Sequence, residues 1–143
     1  MNVRSILRSK GADVRTIAPS ARLEEAARRL DEHGVGALVV VDSNGHVQGV
    51  ISERDLTREV ARAGASALAT AVADAMTRDL VTARPDDAVD ELMARMTDRR
   101  VRHLPVMDGG RLAGIVSIGD VVKLKIELAE SEAQAMRAYI TAG

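Results

Sequence analysis

The chain of 143 residues contains two copies of one sequence unit. Val14–Pro19 of the first copy aligns with Leu80–Pro85 of the second, and Asp42–Asp55 aligns in the same order with Asp108–Asp120. The second copy is one residue shorter within a turn, where such changes are tolerated best. A duplication of this length restricts the chain to a fold in which two similar halves pack together.

Each copy predicts the same order of elements, β-α-β-β-α. An apolar stretch before a proline predicts the first strand, an apolar period of three and four residues predicts a helix, and two apolar runs joined by a turn predict a hairpin. A second helix is predicted after Ser52 and after Ser117, and Gly34 is expected to end the first helix in the left-handed conformation. Ser20 and Asp86 are the expected N-caps of the first helix in each copy. The predicted strands are Val14–Ile17, Ala37–Val41 and Val47–Ile51, then Leu80–Ala83, His103–Met107 and Leu112–Val116.

A single unit would cover only one face of its sheet with helices, and the open face would expose an apolar patch that soluble proteins avoid. We therefore predict an α/β (α+β) fold in which tandem β-α-β-β-α repeats pack sheet to sheet with pseudo-two-fold symmetry. Residues 1–62 are assigned to the first repeat with a short lead-in, 63–73 to a linker and 74–143 to the second repeat. The last helix runs from Asp120 towards Tyr139, longer than one unit needs, which indicates a role in packing or dimerisation.

Composition excludes several functions. The chain has no cysteine, which rules out a disulfide framework, a zinc–thiolate site and a cysteine nucleophile. A formal net charge of −1 and a single aromatic residue, a tyrosine, argue against nucleic acid as a partner. His33, His46 and His103 lack the spacing of metal ligands. The longest apolar run, Ala37–Val41, is far shorter than the roughly 20 residues of a membrane span, so we expect a cytoplasmic protein without a membrane partner.

The segments that are most informative about binding lie at the end of the predicted hairpin in each copy. Gly49–Asp55 and Gly114–Asp120 both read glycine, two apolar residues, serine, two further residues and aspartate. Such a serine and aspartate form a capping box at a helix N-terminus, worth about 1 kcal/mol, and this structural role alone accounts for them. The same geometry presents free N–H groups and a positive dipole to a phosphate, while a short carboxylate can accept the hydroxyls of a ribose. Recurrence of the whole pattern in both copies favours the binding role.

With these motifs in register, the chain resembles a tandem pair of CBS domains (a Bateman module) from about Val3 to Lys125. The resemblance implies that adenine nucleotides, such as AMP, ADP, ATP or NAD(H), bind in clefts between the repeats. The aspartate would hold the ribose, the serine would lie near phosphate, and no catalytic cofactor is implied. One implied site consists of Ser117 and Asp120 with Lys10, Asp13, Val14, Val35 and Gly36; the other consists of Ser52, Arg54 and Asp55 with Thr77, Asp79, Leu80 and Val101.

The two implied sites differ in charge. Arg102 and His103 stand where the first copy has Gly36-Ala37, and in related modules basic residues at this place face phosphate. Both are therefore assigned to the Asp120 site, with a solvated basic turn as the alternative for Arg102. Arg54 has no charged counterpart in the second copy. We expect two sites of unequal affinity.

The resemblance predicts a regulatory module, not an enzyme, that binds an adenine nucleotide, forms a homodimer and signals to an unidentified effector protein. Two alternatives stay open. One is a structural dimerisation or scaffold module with degenerate pockets. The other is an enzyme related to the regulation of inosine-monophosphate dehydrogenase, which the lack of a barrel-sized chain and of a cysteine nucleophile disfavours.

Overall fold

The structure is a computed structural model, and it describes residues 1–142. The helices are α1 Val3–Lys10, α2 Leu23–His33, α3 Glu53–Ala63, α4 Val72–Ala75, α5 Val89–Arg99 and α6 Ile118–Ala142, with a 3-10 helix at Gly64–Ala69. The strands are β1 Thr16–Ile17, β2 Ala37–Val41, β3 Val47–Ser52, β4 His103–Asp108 and β5 Arg111–Ser117. In the first repeat β1 runs parallel to β2, and β2 pairs antiparallel with β3; in the second, β4 and β5 form an antiparallel hairpin. The predicted α+β fold of two similar repeats is confirmed.

The first strand of each repeat is shorter than predicted. Val14 lies outside β1, and of the predicted strand Leu80–Ala83 only Ala83 joins the sheet, through a parallel bridge to Val106. The residues just before Ala83 line a cleft between the repeats instead. A strand that would have completed the second sheet therefore contributes side chains to a cavity.

The short helix that precedes each repeat packs into the core of the other repeat. Val3 and Ile6 of α1 are buried with Leu92 and Leu104 of the second repeat. In the same way, Val72 and Ala75 of α4 lie in the core of the first repeat. Burying one such large apolar side chain contributes about 2 kcal/mol, so each core depends on a helix from outside its own repeat.

Matching hydrogen bonds fix this exchange at two equivalent places. Antiparallel bridges join Asn2 to Ala88 and Arg22 to Ala71. Beside these bridges, the Leu23 N–H donates to the Thr70 carbonyl at 2.9 Å, and the Val89 N–H donates to the Met1 carbonyl at 3.2 Å. The two places are related by the pseudo-two-fold symmetry of the repeats.

The predicted N-caps Ser20 and Asp86 are wrong. The N-caps are Arg22 and Ala88, and neither makes a side-chain capping hydrogen bond. The backbone before α2 and α5 stays extended to pair with the exchanged segments, so each helix begins later, and a carbonyl of the exchanged segment accepts the N–H of the first helical residue. Gly34 ends α2 in the left-handed conformation, with φ 61°, as predicted.

Candidate functional site

A cleft of about 260 Å³ lies between the two repeats, beside the N-terminus of α3. Aliphatic side chains from both repeats form its apolar wall, namely Val50, Leu80, Val81 and Val101. Seven residues that the sequence assigned to one site line it together: Ser52, Arg54, Asp55, Thr77, Asp79, Leu80 and Val101. We call this cavity the Asp55 cleft.

Asp55 itself is buried, with 2% of its surface exposed. Its Oδ2 accepts from the Ser52 N–H at 2.9 Å and from the Ser52 hydroxyl at 3.0 Å. Its Oδ1 accepts from the Arg58 guanidinium at 2.8 Å and from the Thr77 hydroxyl at 3.2 Å. A carboxylate has about four acceptor positions, so four donors saturate it. The capping box predicted at Ser52 is present.

Four arginines line the Asp55 cleft, at positions 54, 58, 100 and 102, against the acidic side chains Glu53, Asp55 and Asp79. Arg58 is bound to Asp55, and Asp79 forms an ion pair with Arg99 at 3.0 Å. The Arg54 guanidinium donates to the Arg100 carbonyl at 3.3 Å. Within residues 1–142, the side chains of Arg54, Arg100 and Arg102 form no ion pair, which leaves their charge free for an anion.

Arg100 and Arg58 line the cleft, but the sequence analysis did not assign them to a site. Arg100 takes the left-handed conformation, with φ 53°, at the end of α5, where Gly34 ends α2 in the first repeat. Holding a residue other than glycine in this conformation costs about 1 kcal/mol. The signal available in the sequence for Arg100 was its alignment with Gly34, a glycine at a helix end. For Arg58 the signal was its position three residues after Asp55 on one helix face.

At the equivalent place in the second repeat, a lysine fills the space beside the aspartate. The Lys10 ammonium donates to Asp120 Oδ2 at 2.7 Å and to the Ile115 carbonyl at 2.9 Å. The Ser117 N–H donates to the same Oδ2 at 2.8 Å. A cavity of about 50 Å³ beside Asp120 lies between α1 and α6, and residues of those two helices line it. We call this place the Asp120 site.

The electrostatics of the Asp120 site reflect that ion pair. Burial alone would raise the pKa of Asp120, but the hydrogen bond from Lys10 and the one from the Ser117 N–H act in the opposite direction. The net result is a pKa of Asp120 below its ordinary value of 3.8. The carboxylate is therefore ionised and already has a cationic partner.

Four residues assigned to the Asp120 site by resemblance line neither cavity: Asp13, Val14, Val35 and Ser117. Asp13 is exposed, because it lies in the chain that leads from α1 to β1, and Val35 packs against the core of the first repeat. Lys10 and Asp120 do meet, and Ser117 caps α6 beside them. The structure thus brings together only part of the second predicted set.

Gly36, Arg102 and His103 line the Asp55 cleft, whereas the sequence assigned them to the Asp120 site. Because Gly36 has no side chain, the His103 ring can lie against it: a Cβ at that position would be 3.0 Å from Nε2. Burial lowers the pKa of His103, while the nearby charges of Glu53 and Asp120 raise it without reversing the shift. The imidazole therefore faces the Asp55 cleft largely in its neutral form at pH 7.

Two other features, a metal-binding cluster and a membrane-spanning helix, are absent from the part of the chain that the structure describes. Across residues 1–142, no group of three histidine, aspartate or glutamate side chains could hold a metal ion. In the same range no helix combines the length and apolar character needed to cross a bilayer.

Comparison with known proteins agrees with this geometry. The sequence profile of the CBS domain matches residues 3–62 and 72–127. The chain is 40% identical over 123 residues to the CBS domain-containing protein CBSX3, mitochondrial, of Arabidopsis thaliana, an alignment that spans 83% of this chain and 60% of that protein. It therefore spans less than two thirds of this relative's length.

Solved structures show the same arrangement of repeats. A CBS-domain containing protein from Agrobacterium tumefaciens superposes with a TM-score of 0.85 at 47% identity, over 87% of this chain and 92% of that one. The CBS domain pair of protein MJ0100, in complex with 5′-methylthioadenosine and S-adenosyl-L-methionine, superposes with a TM-score of 0.78 at 28% identity, over 87% and 94% of the two chains. The chain belongs to the CBS-domain family, as a tandem pair of its domains.

Proposed function

We propose that the chain is a non-catalytic regulatory module that binds an adenosine-containing ligand, such as AMP, ADP, ATP or NAD(H), in the Asp55 cleft and signals to a partner protein. The observation that carries the proposal is the cavity between the repeats whose wall includes three arginines without ion-pair partners within residues 1–142. The chain as a whole is nearly neutral, so this positive charge is a local feature.

The phosphates of the ligand would bind to Arg54, Arg100 and Arg102. A guanidinium forms two parallel hydrogen bonds to a phosphate, and the N-terminus of α3 adds a favourable helix dipole. One charge pair at 4 Å near a protein surface is worth up to about 4 kcal/mol before desolvation is subtracted. Arg100 retains a backbone conformation that glycine adopts more easily, which is consistent with a role for its side chain.

The base and the ribose would occupy the inner part of the cleft. Adenine would pack between Val50, Leu80 and Val101, because no phenylalanine, tyrosine or tryptophan lines the cleft. A ribose hydroxyl would donate to Asp55 Oδ1 in place of the Thr77 hydroxyl, whose hydrogen bond at 3.2 Å is the longest of the four to this carboxylate. Binding would thus exchange one hydrogen bond at Asp55 without leaving the carboxylate unpaired.

The size of the cleft favours a mononucleotide. A cavity of about 260 Å³ is slightly smaller than the usual range for small-molecule sites, roughly 300–1,000 Å³. It encloses a nucleoside, with phosphates at the arginines, whereas the second half of a dinucleotide would extend outside. The two ligands named for the MJ0100 domain pair also share an adenosine group.

Signalling would follow from the composition of the cleft wall. The wall contains Ser52 and Asp55 from the first repeat and Val101 and Arg102 from the second, so a bound ligand contacts both halves. A ligand that binds one arrangement of the repeats more tightly shifts the equilibrium towards it, and a partner can recognise the change.

The cytoplasmic location expected from the sequence stays a prediction.

A thermal-shift experiment tests the proposal. We expect AMP, ADP or ATP to raise the melting temperature, and GMP to do so less. Arg102→Ala should weaken binding about tenfold, because it removes charged hydrogen bonds to phosphate. Arg111→Ala is the matched control, since Arg111 is exposed on β5 and lines neither cavity. No stabilisation by any adenine ligand at millimolar concentration would support the scaffold alternative instead.

A further inference from the structure

Helix α6 continues well beyond the second repeat. It is 25 residues long, from Ile118 to Ala142. Near its start Val121 is fully buried and Leu124 packs against the same core, but every residue from 129 to 142 is exposed. Those 14 residues form about four turns that are exposed throughout, and an isolated helix of that length is marginal in water. Burial within the chain therefore contributes little to the stability of the exposed part of α6.

One face of α6 is apolar along most of the helix. Val122, Ile126, Met136 and Ile140 are exposed by 48%, 53%, 62% and 68%. With Ala129 and Ala133 they form a row in which the spacing alternates between four and three residues. We call this row the α6 stripe. The spacing is that of the a and d positions of a coiled coil, and it lies on a different face from Val121.

We propose that the α6 stripe pairs with the α6 stripe of a second copy of this chain in a parallel, in-register, two-stranded coiled coil. Charge complementarity selects this partner. With Ile126 at an a position, Glu132 is a g residue and Arg137 is the e residue that it meets on the other helix. Because the pairing is symmetric, this contact occurs twice in the dimer.

The charges that flank the stripe are available for this pairing. Within residues 1–142, the side chains of Glu130, Glu132 and Arg137 form no ion pair. Lys125, the preceding g residue, would meet Glu130 of the second copy, but it already contacts Asp90 of its own chain at 2.5 Å. The Glu132–Arg137 contacts therefore carry the argument.

The charges disfavour the antiparallel alternative with full overlap of the stripes. That arrangement would bring Glu130 close to Glu130 of the second copy, and Glu132 close to Glu132, and like charges at these positions are destabilising. The small residues Ala129 and Ala133 at the centre bury little area, so the proposed dimer is dissociable and weakens as salt screens its ion pairs.

Charge reversal tests the proposed pairs. Sedimentation equilibrium should show a concentration-dependent dimer for the native chain, with a dissociation constant about tenfold higher for Glu132→Arg and for Arg137→Glu. Mixing these two variants should restore native affinity, because opposite charges would then face each other at both contacts of the mixed dimer. Gln134→Arg is the control that adds charge outside the stripe and should leave the dimer intact. A native chain that stays monomeric, or variants that do not complement each other, would overturn the proposal.

Crosslinking tests the direction of the pairing, and the absence of native cysteine makes single-cysteine variants clean. In a parallel in-register coil, Ala129→Cys and Ile140→Cys should each form a homodimeric disulfide under mild oxidation. In an antiparallel coil at most one of the two can do so, because the positions are about 16 Å apart along the helix. Disulfides at both positions support the proposal; a disulfide at one position, or only in the mixed sample, refutes it. The result is independent of whether the Asp55 cleft binds a nucleotide.

Discussion

The Asp55 cleft and the Asp120 site share the same capping geometry, but different side chains surround the two aspartates. In both, a serine precedes the helix and the aspartate accepts from the serine N–H, at 2.9 Å for Asp55 and 2.8 Å for Asp120. Beside Asp55 lies a cavity of about 260 Å³ with four arginines in its wall. Beside Asp120, the Lys10 ammonium forms an ion pair with the carboxylate. A duplicated motif therefore does not imply two equivalent binding sites.

The difference arises in the segments that lead into the repeats. Helix α1 has eight residues and continues to Lys10, whereas α4 has four and ends at Ala75. After α4 the chain is extended, and the N–H and carbonyl of Thr77 pair with those of Val50 at 2.9 and 3.1 Å. The segment with α1 therefore places the Lys10 ammonium beside Asp120, whereas the segment after α4 forms an edge of the Asp55 cleft.

The largest predicted difference concerns the two aspartates. Asp55→Ala would leave the Thr77 hydroxyl and the Ser52 N–H without their acceptor, while Arg58 keeps only the Ala75 carbonyl as a hydrogen-bond acceptor, and we expect the change to lower the free energy of unfolding by about 3 kcal/mol. Asp120→Ala removes a cap from a partly exposed place and should cost about 1 kcal/mol. Urea denaturation at pH 7 measures both. Equal losses would contradict the description of Asp55 as a saturated, buried carboxylate.

A smaller difference is expected at the glycines that begin the two motifs. A Cβ on Gly49 would lie 2.6 Å from the Thr77 carbonyl oxygen, and one on Gly114 would lie 2.7 Å from Leu7 Cδ2. The Thr77 backbone cannot withdraw without breaking its pairing with Val50, but the end of a leucine side chain can rotate. Gly49→Ala should therefore cost about 2 kcal/mol and Gly114→Ala less than about 1 kcal/mol. Thermal denaturation of the two variants compares them, and the reverse order would show that α1 is held more rigidly than the Thr77 segment.

The smallest predicted effect is the pH dependence of the Lys10–Asp120 pair. Because the folded pKa of Asp120 lies below 3.8, its contribution to stability is fully present above that value and is lost as pH falls through the folded pKa. Lys10→Met keeps the apolar stem and should cost about 1 kcal/mol at pH 7. The difference between the native chain and Lys10→Met, measured by denaturation at several pH values, should shrink below about pH 4. A difference that stays constant with pH would mean that Lys10 stabilises by packing alone.

The sequence predicted the parts of this structure that depend on local patterns. The repeat order, the capping box at Ser52 and the left-handed Gly34 follow from residue type and spacing along a short segment. Ser52, Asp55 and Thr77, which the resemblance grouped together, line one cleft, and their role in binding stays a prediction.

What the sequence did not predict depends on packing between the halves. The late start of α2 and α5 results from backbone pairing with segments far along the chain. His103 turns into the Asp55 cleft because Gly36 of the other repeat leaves room for its ring. The resemblance placed Lys10 at the Asp120 site, but its ion pair with Asp120 depends on α1 continuing to Lys10, which the sequence did not predict.

Calorimetric titration of the native chain with AMP tests the central claim most directly, because it counts sites. One AMP per chain is the predicted stoichiometry, with binding about tenfold weaker in Arg102→Ala. Two equal sites per chain would contradict the account, as would a single site whose affinity is unchanged by Arg102→Ala and is lost in Asp120→Ala.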